Sequence, residues 1–160
     1  MQAETGRHFL RHALATLAYR VEKPLRDAPD GFEKVSAGAG GRTAGELVAH
    51  MSDLLEWALY LARGEHRWAP MPATAWQADV ERFWAAVAAL DVFLSSDTPL
   101  GATPESLFQG PIADALTHTG QLILLRRLAD RPIRSENYAA AEISAGRVGR
   151  EQAKERKEFG

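Results

Sequence analysis

The run PIADALTHTGQLILLRRLA, residues 111–129, is apolar on almost every side of the helix it would form. A helix of that kind is stable only with other structure packed around it. Asp114, His118 and Gln121 interrupt the apolar surface at spacings of four and three residues, so the three share one helical face. Arg126 and Arg127 project from roughly the opposite side at about 100° per residue, which turns the polar face away from solvent. Buried polar groups need partners. The segment is therefore expected to be the most buried helix of the fold, with an Asp, a His and a Gln held inside it.

Three other stretches carry helical periodicity. Residues 5–23 place Phe9, Leu10, Ala13, Leu14, Leu17 and Val21 on one side, and Pro24 is expected to end them. The Gly- and Pro-rich residues 24–42 read as an excursion along the helices. Thr43 and Glu46 form a capping-box pattern ahead of Leu47, His50, Met51, Leu54, Ala58 and Leu61. Thr74 and Gln77 repeat that pattern ahead of a third series, from Trp76 through Phe83 and Trp84 to Leu94. Thr103 and Pro104 suit the start of one short turn, stopped by Gly110, after which Pro111 opens the fourth helix. No segment has the alternation of a strand. These patterns predict an all-α chain, an antiparallel four-helix bundle, in which the long first connection permits a crossover. Residues 1–148 form one domain, and the charged residues 149–160 are expected to fray.

Of the 160 residues 46% are hydrophobic and 25% charged, as in ordinary globular chains. A net charge of −2 supplies no basic field for nucleic acid or anionic lipid. No window approaches the uncharged length of a membrane span, the N-terminus lacks the apolar run of a signal peptide, and a cytoplasmic location is expected. The chain has no cysteine, so any metal site must use His and carboxylates.

Helical bundles build metal sites from facing helices, often with one helix supplying an i, i+4 pair. Asp114 and His118 are such a pair. Of the remaining histidines only His50 lies within the apolar arc of its own helix, and it is the natural third ligand. Two imidazoles and a carboxylate suit zinc, with nickel or another first-row divalent ion as alternatives, and leave coordination positions open. Gln121 is placed to orient a ligand or a bound water. Plainer readings exist for each residue. His50 could be a hydrogen-bonded core histidine, Asp114 could complement the dipole of a helix starting at Pro111, and Gln121 could bond a neighbouring backbone. His8 and His12 share an i, i+4 spacing but point away from the apolar side, and His66 has no spaced partner. Trp57 and Trp68 could line the site's entrance, with core packing the competing role for Trp57.

The segments RTAGELVAHMSDLLEWAL, ADALTHTGQLILLRRLA and ENYAAAEI resemble the DinB/YfiT-like superfamily over roughly residues 5–148, the His50 and His118-Thr-Gly-Gln121 segments being the specific part. The resemblance implies a four-helix bundle holding a divalent metal through a His of the second helix and a pair from the fourth. That pair is commonly His-x-x-x-His in the family. Asp114 stands at its first position here, similar to the Glu-x-x-x-His of the maleylpyruvate isomerase branch but with a shorter reach. An unpartnered charge inside a bundle would be costly, which favours a ligand role for Asp114. The implied activities act on small molecules: thiol S-transfer onto an electrophile, thiol-assisted isomerisation, or metal-dependent hydrolysis. A thiol would have to come from a low-molecular-weight cosubstrate. The alternative is a non-catalytic, stress-associated bundle with a structural or degenerate metal site. Family members commonly pair through bundle faces, and the aromatics of residues 76–90 suggest a homodimer.

Overall fold

A computed structural model describes residues 2–159. The chain is mostly helical, with α1 (Gln2–Leu25), α2 (Ala44–Ala62), α3 (Trp76–Ser95), the short α4 (Pro104–Leu107) and α5 (Ala113–Leu128), and a single small ladder of β1 (Ser135–Glu136) and β2 (Glu158–Phe159). Leu10, Leu14 and Leu17 of α1, Met51 and Leu55 of α2, Phe83 and Leu90 of α3 and Leu122 of α5 fill the shared core. Each long helix packs mainly against two others: α1 and α2 both lie against α3 and α5.

The directions of these helices depart from a simple antiparallel order. Arg11 of α1 pairs with Asp91 late in α3, and Arg7 donates to the Leu94 carbonyl, so α1 and α3 are antiparallel. His50 lies beside His118 and Trp57 beside Gly110, which makes α2 and α5 antiparallel as well. Arg82, by contrast, reaches Asp53 and Glu56, and Arg63 at the end of α2 lies over Phe93 at the end of α3. Helices α2 and α3 therefore run parallel. So do α1 and α5, because Arg126 near the end of α5 donates to the Pro24 and Arg26 carbonyls at the end of α1. A parallel neighbour needs a connection that returns along the helix, and residues 63–75 are long enough to do so.

Local signals explain most boundaries, and the exceptions have identifiable causes. Thr43 and Glu46 make the full reciprocal capping box that starts α2. Thr74 makes none: its N–H and hydroxyl both donate to Asp79, and Ala75 caps α3 without a side-chain bond. Helix α1 passes through Pro24 to Leu25, since a proline in the last turn removes one hydrogen bond and the next, Arg26 N–H to Glu22 O at 2.7 Å, still forms. Thr103 caps α4 by accepting from Ser106 N–H. Gly110 does not stop that turn. A π-helical turn, Phe108–Ile112, absorbs Gly110 and Pro111 and carries α4 directly into α5.

Two expectations about burial fail together. Helix α2, with twelve of its nineteen residues buried, lies deeper than α5, with six of sixteen. Helix α5 leaves Leu124 and Leu128 about half exposed, while Arg126, expected on the outside, is buried. It is Arg126 that closes the ends of two helices, its Nε adding a bond to the Arg131 carbonyl at 3.0 Å. Phe83 and Trp84, the aromatics of α3 offered for pairing, belong to the core. Residues 150–159 are mostly exposed, as solvated charge should be, and are tied down by polar contacts: Lys23 bonds Glu158 at 2.5 Å, Arg26 bonds Glu155 at 2.7 Å, and β2 pairs with β1. Beneath them Glu136, buried, accepts from the Tyr19 hydroxyl at 2.5 Å. Burial and Glu136 push that hydroxyl's pKa up, so it remains a donor.

Candidate metal centre

Helix α2 presents His50 two turns past its capped start, and α5 presents Asp114 and His118 one turn apart, facing it. The antiparallel contact of these two helices brings the three together. His118 Nε2 lies 3.3 Å from Asp114 Oδ1, His50 Nε2 lies 3.8 Å from Asp114 Oδ2, and the two imidazole rings are 4.9 Å apart between centroids. One donor atom from each residue lies within 4.8 Å of the others. Donors bound to one tetrahedral ion at about 2.0–2.2 Å stand roughly 3.3 Å apart, so this set needs little adjustment to share an ion.

The hydrogen bonding around the group also fits a cation. His118 Nδ1 lies 2.8 Å from Gln121 Oε1. An amide oxygen only accepts, so Nδ1 carries the proton and Nε2 presents its lone pair. Nε2 in turn faces a carboxylate oxygen at 3.3 Å, and a cation, whether a proton or a metal ion, satisfies both atoms. Burial first, then the nearby Arg42 and His118, push the His50 pKa below its ordinary value against the pull of Asp114. A neutral imidazole is the form a metal requires.

The site opens at the surface rather than in the interior. The His118 side chain is 9% exposed and His50 17%, whereas Asp114 is 45% exposed and Gln121 also reaches solvent. Burial cost therefore does not explain Asp114. Its dipole reading loses support too, because the helical run begins at Pro104 and Asp114 lies well beyond the first turn, where the dipole effect has faded.

Aromatic residues form the rim. Trp68 meets His50 edge-on at 6.1 Å and Trp57 at 5.7 Å. Trp57 packs against the core on one side and on the other lines a shallow cavity of about 400 Å³ with Gly110, Asp114 and Thr117. On the far side of His50 a second cavity of about 530 Å³ lies between α2 and the returning connection. Asp53, one turn beyond His50, holds that connection by accepting from Met71 N–H at 3.1 Å and from Arg82. This strut escaped sequence reasoning because its residues come from three separate segments. His8, His12 and His66 are exposed and outside the group.

Comparison with family models, curated proteins and solved structures returns no match to this chain. Among the described residues no helix is long and apolar enough to cross a membrane.

Proposed function

We propose that this chain is a metal-binding four-helix bundle of DinB/YfiT type that acts on a small molecule by thiol S-transfer or hydrolysis. The observation that carries the reading is the convergence of His50, Asp114 and His118 at an open surface site, with Gln121 fixing the His118 ring. A divalent ion held there, zinc by preference, supplies Lewis acidity that lowers the pKa of an adjacent thiol or water. The chain's own contribution is to lower the His50 pKa by burial, to orient the His118 ring through Gln121, to hold the carboxylate between the two imidazoles and to leave one side of the group accessible. Trp57 and Trp68 wall that access and exclude bulk water from part of it.

The test is the metal content of protein purified without added metal, together with conjugation of a low-molecular-weight thiol to a chloro-dinitrobenzene electrophile. His118→Ala is expected to abolish both while helical content survives, since the fold rests on apolar packing. Stoichiometric metal in that variant would sink the ligand assignment. Metal in the unaltered protein with neither conjugation nor hydrolysis would favour the non-catalytic bundle.

A further inference from the structure

The cavity beside His50 carries a chemistry that the ligand group does not use. Its walls include Trp68, Pro70 and Met71 from the returning connection and Arg42 and Glu46 from the start of α2. Trp68 and Met71 are about half exposed there, although most large apolar side chains of the chain are covered. Their positions are fixed: His50 and Trp57 hold the Trp68 ring edge-on, and Asp53 holds the Met71 backbone. Both acids on the wall are occupied, Glu46 by the Thr43 N–H at 2.7 Å and Asp53 by Arg82 at 2.5 Å. Arg42 has no ion-pair or hydrogen-bond partner among the described residues, yet it lies close enough to His50 to depress its pKa. An unanswered guanidinium beside two exposed apolar side chains is a recognition pattern for a flat apolar body with a carboxylate at one end.

We propose that this cavity binds the small-molecule substrate, a monocarboxylate with an aromatic or similarly flat apolar body. Arg42 takes the carboxylate, and Trp68 and Met71 take the body. The volume of about 530 Å³ lies within the usual range for small-molecule sites. Ligand bound in this way lies against His50 and so within reach of the group formed with Asp114 and His118. The proposal names the substrate class for the reading above and rests on it only for the reaction, not for the binding.

The experiment is a chemical-shift titration of zinc-free and zinc-loaded protein with 3-phenylpropanoate and with its neutral amide. The acid is expected to bind the zinc-free protein at least about tenfold more tightly than the amide, the value of one charge-assisted contact. Arg42→Gln should remove that preference and leave amide binding unchanged, and Met71→Ala should weaken both probes alike. Arg42 is exposed and outside the core, so the variant keeps its fold, which circular dichroism checks. Equal binding of acid and amide by the unaltered protein, or unchanged acid binding in Arg42→Gln, overturns the proposal. Zinc titration of the same proteins separates the two readings. A chain that fails to bind zinc but still discriminates acid from amide keeps the carboxylate site and loses the metal centre. One that binds zinc and does not discriminate keeps the metal centre and loses the carboxylate site.

Discussion

Asp114 is the residue on which the metal reading turns. Were it only a dipole complement, Asp114→Asn would cost at most about 1 kcal/mol and leave zinc affinity intact. As a ligand between two imidazoles it should lose at least tenfold in affinity when neutralised, and Asp114→His should recover it, with nickel gaining most. Calorimetric titration of the three proteins decides, and equal affinities for the unaltered protein and Asp114→Asn would refute the ligand role. Gln121→Leu should weaken zinc by about 10–100-fold through the freed His118 ring, with Gln121→Glu retaining more. Arg126 makes a separate prediction, about stability. Its guanidinium serves three carbonyls, so Arg126→Met should destabilise by about 2–4 kcal/mol, and Arg126→Lys should rescue only part, as denaturant midpoints would show. The grouping of His50, Asp114 and His118 was legible because i, i+4 spacing and a place on an apolar helical arc are local properties. The role of Arg126 was not, because two of the three carbonyls it serves lie about a hundred positions away.

Helix α2 begins where side chains satisfy its first free N–H groups, and that much could be read from Thr43 and Glu46. Thr43→Ala should cost about 1 kcal/mol and fray α2 ahead of His50, visible as faster amide exchange in residues 44–48. The second capping-box pattern misled because Thr74 is spent on Asp79, a choice that only the folded loop reveals. Pro24 and Gly110 read as stops, and Pro111 as the start of a new helix, by the same local logic. The chain tolerates them, at the last turn of α1 and within a π turn. Glycine is required elsewhere: a Cβ on Gly101 would lie 2.1 Å from the Gly64 backbone nitrogen, and Gly64 itself sits at φ +80°. Gly101→Ala should therefore lower the melting temperature by several degrees, by forcing apart the ends of α2 and the segment before α4. An unchanged melting temperature would mean that this crossing yields without cost.

Across the whole molecule, the charges of residues 150–159 tie the end of α1 to the β1–β2 ladder. Glu155 is held below the ordinary carboxylate value, first by its own backbone N–H and then by Arg26. Its contribution is therefore complete above the unfolded value of about 4.3 and lost as pH falls through the lower folded one. Glu22 works with the opposite sign: burial raises it, so its cost is present at neutral pH and relieved on acidification. Glu155→Gln should remove part of the acid-induced loss of stability, by less than about 1 kcal/mol, since the pair is partly solvated. Pairing of two copies remains a proposal. Light scattering should give a dimer mass at micromolar concentration, and a monomer would remove it. The parallel setting of α2 against α3, finally, bears on how fast the chain can fold. Helix α1 finds its main partners in α3 and α5, and α2 reaches α3 only after a full return of the connection. The contacts of α1 with α3 and α5 and of α2 with α5 join segments distant in sequence, so long loops must close before these contacts form. Stopped-flow refolding should accordingly be slower than for an up-and-down bundle of equal length, and His50, Asp114 and His118, drawn from α2 and α5, would converge only late in that process.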